Sequence, residues 1–335
     1  LASYRSEDVK IEVRITAAPM TMPNFLIIGA AKSGTSSLEY YLKQHPQIYM
    51  SYAEEMHFFA FENQKLNFQG IGDISLMRRA VTSLDDYQAQ FQDVSEEIAI
   101  GEKSAWYLYH PKVPERIKHY IPNVKLITVL RNPVDRAYSS FLHLIRDYSE
   151  PIHDLEVALE AEPQRIDNNW EYLWHYQQAG FDYQQLQRYF DIFAPEQIGI
   201  FIYEDYRKNP EKFLVTIFDF LCVDKTFKPD LSKKINVGKL KAKVPKNQTF
   251  HNFGSEPNII KSMVKNFLPI SLRERIREGL KQTNLGQPPL QPQVRKKTLR
   301  YLSVRYYEFR KVDFQRLVSM VRTINRPINC LIDSI

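Results

Sequence analysis

The chain has 335 residues, 44% of them hydrophobic and 25% charged, the proportions of an ordinary globular protein and not of a disordered one. No run of about 18 apolar residues occurs, so nothing in the sequence is suited to cross a membrane. The net charge of +6 suits a protein with an anionic ligand and is too small to argue by itself for nucleic acid.

Residues 1–22 carry no clear pattern and read as an N-terminal arm, with a single domain expected over 23–325. Phe25, Leu26, Ile27 and Ile28 run into Gly29, the pattern of a buried strand. A loop of small residues follows, Gly29-Ala-Ala-Lys32-Ser33-Gly34-Thr35-Ser36-Ser37, and then Leu38, Tyr41 and Leu42 at helical spacing until Pro46. A short strand is expected at 47–50, with Glu55 in the loop beyond it. The stretch 61–82 holds Gly70 and Gly72 without a period and reads as a surface excursion. Strands at 98–103, 124–130 and 197–203 alternate with helices at 113–120, 135–146, 184–193 and 209–221, and Asp135 and Arg136 are expected on a helix surface or in an ion pair. Such alternation implies a doubly wound α/β fold, a P-loop-like three-layer arrangement with a central, mainly parallel sheet flanked by helices. Ligands gather at the carboxyl ends of such strands, where Gly29, Lys103, Arg131 and Glu204 fall. Beyond the last helix, 233–250 includes six lysines from Lys233 to Lys246 with no acid among them, and 251–325 reads as a helical C-terminal part.

The loop after the first strand brings backbone N–H groups and a helix N-terminus to one point, a setting for an anion. It departs from the nucleotide-triphosphate loop G-x-x-x-x-G-K-[ST] in that Lys32 precedes the second glycine, Gly34, instead of following it. A P-loop NTPase also needs an acid at the end of a neighbouring strand to hold Mg²⁺. Here strand 124–130 runs into Arg131-Asn132-Pro133, and a cation there repels a metal and attracts a second anionic group. The residues predict a nucleotide with phosphate-like groups at two ends, bound without an obligatory metal.

Together these features resemble the sulfotransferases that use 3′-phosphoadenosine-5′-phosphosulfate (PAPS). Lys32, Ser33, Gly34, Thr35 and Ser36 match the family loop G-x-x-[KR]-[SGT]-G-T-[ST], which grips the 5′-phosphosulfate, and Ser37 adds its N–H group. Arg131 and Ser139 have the spacing of the family's 3′-phosphate contacts. Glu55-Met-His57-Phe-Phe59 is similar to the E-x-[HQ]-F-F segment that carries the catalytic glutamate of heparan sulfate 3-O- and N-sulfotransferases. Glu102-Lys103-Ser104-Ala105-Trp-Tyr107 is similar to the E-K-[ST]-[PA]-x-Y segment that supplies a second active-site lysine, and His143 matches a histidine near the acceptor in N-sulfotransferases. The likeness covers roughly residues 23 to 250.

The resemblance implies PAPS as donor, adenosine 3′,5′-bisphosphate as product and no metal. Lys32 and Lys103 would offset charge on the donor and Glu55 would be the base, with His57 and His143 as further candidates. Lys239, Lys241 and Lys243 in the basic loop would cover the nucleotide. The acceptor is a hydroxyl or amine on a glycan, a glycolipid or a small metabolite; O- and N-sulfation both stay open, as does the oligomeric state, and no nucleic-acid partner is expected. A P-loop-type nucleotide kinase and a non-catalytic binder of anionic polymers are the alternatives. Only Cys222 and Cys330 are present; Cys222 reads as buried filler, which points to a reducing, cytoplasmic setting. The Golgi lumen is the alternative if an N-terminal anchor precedes Leu1, and Asn247-Gln-Thr249 is a single glycosylation sequon.

Overall fold

The computed structural model describes residues 21–147 and 149–232, with two further two-residue strands at Val244–Pro245 and Leu285–Gly286. Apart from those strands, the arm up to residue 20, Lys239, Lys241 and Lys243 of the basic loop, the sequon, and the C-terminal part 251–325 lie outside the described residues.

Five strands, β1 (Phe25–Gly29), β2 (Ile48–Met50), β3 (Ala99–Lys103), β4 (Lys125–Leu130) and β5 (Ile198–Ile202), form one sheet in the order β2-β3-β1-β4-β5. Every pairing in it is parallel; Phe25 stands opposite Gly101 on one side and Lys125 on the other. Both faces are covered, and the alternation of β1 shows how. Leu26 and Ile28 enter one apolar cluster, whereas Phe25 and Ile27 enter the other. On the second face lie α1 (Thr35–Leu42) and α11 (Pro210–Leu221), through Leu38, Leu42, Leu214 and Ile217. On the first lie α2 (Phe58–Phe61), α4 (Leu84–Gln88), α5 (Val113–Tyr120) and α9 (Asp182–Phe190), through Phe58, Tyr87, Ile117 and Leu186. This is the three-layer α/β fold expected from the alternation of elements. No described helix is long and apolar enough to cross a membrane.

Helix starts follow their sequence signals. The Asn132 side chain accepts from Val134 N–H (3.0 Å) at the start of α6 (Pro133–Arg146), and Asn209 accepts from Lys212 N–H (3.0 Å) at the start of α11; each is followed by proline in the first turn. A third apolar cluster joins α6 to α7 (Leu155–Glu160) and to the 3₁₀ turn Tyr172–Trp174, through Phe141, Leu144, Leu155 and Trp174.

The surface excursion is more ordered than its sequence suggests. It contains α3 (Ile74–Arg79), and buried Asp73 clamps it in place. The Asp73 carboxylate accepts from Gly70 N–H (2.7 Å), Glu171 N–H (2.9 Å) and Trp174 Nε1 (2.9 Å). Two expectations are corrected. Arg136 is fully buried in α6, donating to the Tyr176 carbonyl, because the turns before α9 cover that face of α6. Cys222 is exposed where α11 ends, with Lys125 Nζ 3.1 Å from its sulfur, and is not a free thiol. That removes the footing of the reducing-compartment expectation.

Candidate active site

The strand order reverses around β1, so the carboxyl ends of β3, β1 and β4 open onto one crevice, the place where open α/β sheets bind ligands. Lys32 (φ 68°) and Gly34 (φ 89°) both lie in the left-handed region and turn the chain from β1 into α1. Gly34 caps α1 without a side-chain hydrogen bond, and its carbonyl takes the N–H groups of Ser37 and Leu38 (3.1 Å each), so the Thr35 and Ser36 N–H groups before them have no intrahelical carbonyl to meet. Ser33 Oγ is fully buried without a hydrogen-bond partner, an orphan of the kind that a bound ligand satisfies. Thr35 is buried, and the buried Ser37 hydroxyl bonds to Tyr206.

Arg131 follows β4 directly. Its Nη1 donates to the Lys32 carbonyl (2.9 Å), and its guanidinium lies 4.8 Å from the Tyr203 ring centre. Tyr203 opens α10 (Tyr203–Lys208) and packs on Gly34 so closely that a Cβ there would stand 2.8 Å from its ring. One guanidinium thus ties the loop, the end of β4 and the start of α10 together. Ser139 lies partly buried on α6.

Lys103, at the end of β3, is buried with its Nζ 3.0 Å from Glu55 Oε1, 3.1 Å from Glu39 Oε2 and 3.3 Å from Ser36 Oγ. Burial alone would lower its pKa, but Glu55 and Glu39 overcome this and hold the ammonium charged. Glu55 also accepts from Ala105 N–H at Oε2 (2.8 Å). Burial pushes its carboxyl up, yet Lys103, His57 and that N–H together leave it below the usual carboxylate range. Glu55 is therefore an ionised, one-fifth exposed carboxylate, whereas neighbouring Glu54 is exposed. His57 is buried, with Nε2 3.7 Å from Glu55 Oε2 and Nδ1 unpartnered; burial pushes it down to about 4, so its ring is neutral.

Lys32 is partly buried. Burial first, then nearby Arg146, lower its pKa to about 8, with Asp147 and Glu55 only partly offsetting them. His143, one turn beyond Ser139, has both ring nitrogens engaged. Arg146 Nη2 donates to Nδ1 (2.6 Å), and Nε2 lies 3.5 Å from Asp147 Oδ2. Burial and the charge of Lys32 push it down to about 3. It has no free lone pair with which to take a proton in this arrangement.

Ten predicted residues of the described chain therefore fall into two groups, and the other two, Ser139 and His143, lie on α6. Lys32, Ser33, Gly34, Thr35, Ser36, Ser37 and Arg131 build the loop, and Glu55, His57 and Lys103 meet beside it. Sequence reasoning missed Glu39, Tyr203, Arg79, Arg146 and Asp147. Glu39 had a signal, an acid three residues after Ser36 on the same helix face. Arg79 had none: the Asp73 clamp brings α3 close enough for its charge to depress His57 and His143.

Comparison with known proteins gives the family of the chain. The pattern of the sulfotransferase family matches residues 23–227. In sequence, the chain is 30% identical over 153 residues to the membrane-associated sulfotransferase kil1 of Dictyostelium discoideum, covering 44% of this chain and 30% of that protein. It is 28% identical over 214 residues to the bifunctional heparan sulfate N-deacetylase/N-sulfotransferase 2 of Bos taurus, covering 60% of this chain and 22% of that one. The chain thus spans less than a third of the length of these relatives. Among solved structures, a sulfotransferase from Alicyclobacillus acidocaldarius superposes with a TM-score of 0.61 at 34% identity, covering 77% of this chain and 96% of that one. The family pattern runs from just before β1 to beyond α11, and this chain accordingly belongs to the sulfotransferase family.

Proposed function

We propose that the chain moves the sulfuryl group of PAPS to a hydroxyl or amine of an acceptor, with Glu55 as general base. The observation that carries this reading is the run Glu55–Lys103–Ser36: an ionised carboxylate 3.0 Å from a buried ammonium, which lies 3.3 Å from a hydroxyl in the first turn of α1. A proton acceptor and an anion-stabilising cation share one point, which favours an enzyme over a mere polymer binder. Family membership sets aside the nucleotide-kinase alternative.

When bound, PAPS supplies a sulfuryl group already joined to a phosphate leaving group. Lys32 and the N–H groups of residues 33 to 37 would hold the phosphosulfate end, and the orphaned Ser33 Oγ and left-handed Gly34 suit an anion pressed against that loop. Arg131 spends one donor on the Lys32 carbonyl and would turn the rest of its fork to the 3′-phosphate, with Ser139 beside it. Lys239, Lys241 and Lys243 would close over the nucleotide. Lys103 keeps Glu55 ionised and would offset charge on the leaving phosphate. Glu55 would take the proton from the attacking hydroxyl or amine, and His57 and His143 would shape the acceptor side as neutral rings. Heparan sulfate, named in the bovine relative, makes a glycan the first acceptor class to try, ahead of glycolipids and small metabolites.

The test is Glu55→Gln, which keeps shape but cannot take a proton. Transfer of labelled sulfuryl from PAPS to a panel of desulfated glycans, glycolipids and phenols should fall by roughly 10²–10⁴-fold. Calorimetric affinity for adenosine 3′,5′-bisphosphate should stay near wild type. A variant that retains most of its turnover overturns the assignment of Glu55.

A further inference from the structure

The segment that carries Glu55 is strained. Glu55 (φ 53°) and His57 (φ 55°) both lie in the left-handed region that L side chains avoid, and such residues persist only where their surroundings fix them. Here the fixing comes from the chain leaving β3. Glu55 N–H donates to the Lys103 carbonyl (3.2 Å), Ala105 N–H donates to Glu55 Oε2 (2.8 Å), and His57 N–H donates to Ser104 Oγ (3.0 Å).

Ser104 is fully buried, and its single hydroxyl hydrogen goes to Glu102 Oε2 (2.8 Å). That donation matters because a serine hydroxyl otherwise rotates freely; sending the hydrogen to Glu102 leaves a lone pair for His57 N–H. Glu102 is itself held. It is fully buried, accepts from the Tyr87 hydroxyl at Oε1 (3.3 Å) and hydrogen-bonds to Tyr107, whose hydroxyl accepts from Phe59 N–H (3.3 Å). Strand alternation puts Glu102 on the face opposite Lys103, so no cation competes for its carboxylate. A chain of hydrogen bonds therefore runs from α4 through Glu102 and Ser104 to the backbone of the Glu55 loop, all of it within the protein itself.

We propose that Ser104, oriented by Glu102, is the positioning residue that presses the Glu55 carboxylate against Lys103 and the Ala105 N–H. Its effect on turnover rests on the reading of Glu55 as base; its effect on the Glu55 carboxylate does not.

The experiment is a titration of carboxyl-¹³C glutamate by NMR, with the Glu55 signal identified by its loss in Glu55→Gln. The titratable groups facing Glu55 are Lys103 and His57 and, farther off, Lys32, Glu102 and Glu171, and a change at Ser104 removes none of them. In the wild type Glu55 should titrate below the ordinary carboxylate range. In Ser104→Ala its midpoint should rise by roughly one pH unit or more, with affinity for adenosine 3′,5′-bisphosphate within about twofold of wild type. Ser104→Thr, which restores the hydroxyl, should return the midpoint, and Glu102→Leu should mimic Ser104→Ala. Should Ser104→Ala fail to fold, Ser104→Cys keeps the volume with a poorer acceptor and should shift the midpoint in the same direction. An unmoved Glu55 midpoint in a folded Ser104→Ala or Ser104→Cys protein overturns the proposal, as does failure of Ser104→Thr to rescue it. The two readings fail separately: a shifted midpoint with full turnover in Glu55→Gln sinks only the base. An unmoved midpoint with turnover lost in Glu55→Gln sinks only the role of Ser104.

Discussion

Gly34 occupies a position with no room for a side chain. Its φ of 89° disfavours one, and a Cβ would stand 2.8 Å from the ring of Tyr203, which in turn carries the Arg131 guanidinium. Gly34→Ala should therefore disturb both ends of the proposed nucleotide site, weakening adenosine 3′,5′-bisphosphate by about tenfold or more in calorimetry, roughly 1.4 kcal/mol. Lys32 permits a subtler measurement. Its pKa of about 8 reflects burial and the charge of Arg146 without a bound anion, and an anion on the loop would raise it. Binding the bisphosphate at pH 8, where its phosphates are almost fully ionised, should take up about half a proton at Lys32. Calorimetry in buffers of different ionisation enthalpy reads this number directly. Uptake that persists unchanged in Lys32→Ala would assign the proton elsewhere.

At the scale of elements, the 61–82 excursion carries the clearest expectation. Asp73 is buried and meets three donors, two of them N–H groups of the segment after α8 (Glu162–Asp167). Asp73→Ala would leave the buried Trp174 indole N–H unpaired and release α3, at a cost of about 2–4 kcal/mol in urea unfolding. Proteolysis within 62–82 should quicken, and Asp73→Asn should recover part of the loss. This element also shows why some of the chain was illegible. Phe58–Phe61 is buried on every side, so α2 has no period to read, and only Leu76 of α3 is buried, so α3 has too little of one. By contrast β1, β4, α5 and α11 announce themselves through apolar runs, prolines and asparagine caps. The loop residues 29–37, Arg131 and the Glu55 motif were readable because each is a local pattern. Arg79 and Tyr203 enter the site only through tertiary packing, which no local pattern encodes, whereas Glu39 shares a helix face with Ser36.

For the molecule as a whole, buried ionisable groups set the dependence of stability on pH. Burial pushes Glu102, Glu171 and Asp182 up to about 7, 8 and 7. Their folded pKa exceeds the unfolded one, so the stability they favour is complete below about pH 4 and is lost as pH rises through 7 to 8. Burial pushes His57, His110 and His175 down to about 4 and His143 to about 3. The unfolded chain protonates these first as pH falls below about 6.5, so they act in the opposite direction. The two sets oppose each other between about pH 4.5 and 6.5, where stability should be nearly flat, and above that range it should decline. Glu171→Gln keeps an acceptor for Leu173 N–H and should flatten the decline; an unchanged slope in urea midpoints measured from pH 6.5 to 8 would refute the assignment. The sheet order carries a consequence of another kind. Strand β1 is made first yet lies at the centre, and its partners at Gly101 and Lys125 arrive about 75 and 100 residues later. A nascent chain must hold this fully buried apolar strand unpaired until then. Folding should thus be slow and dominated by long-range contacts, and chains stopped before Leu130 should aggregate instead of forming half a domain.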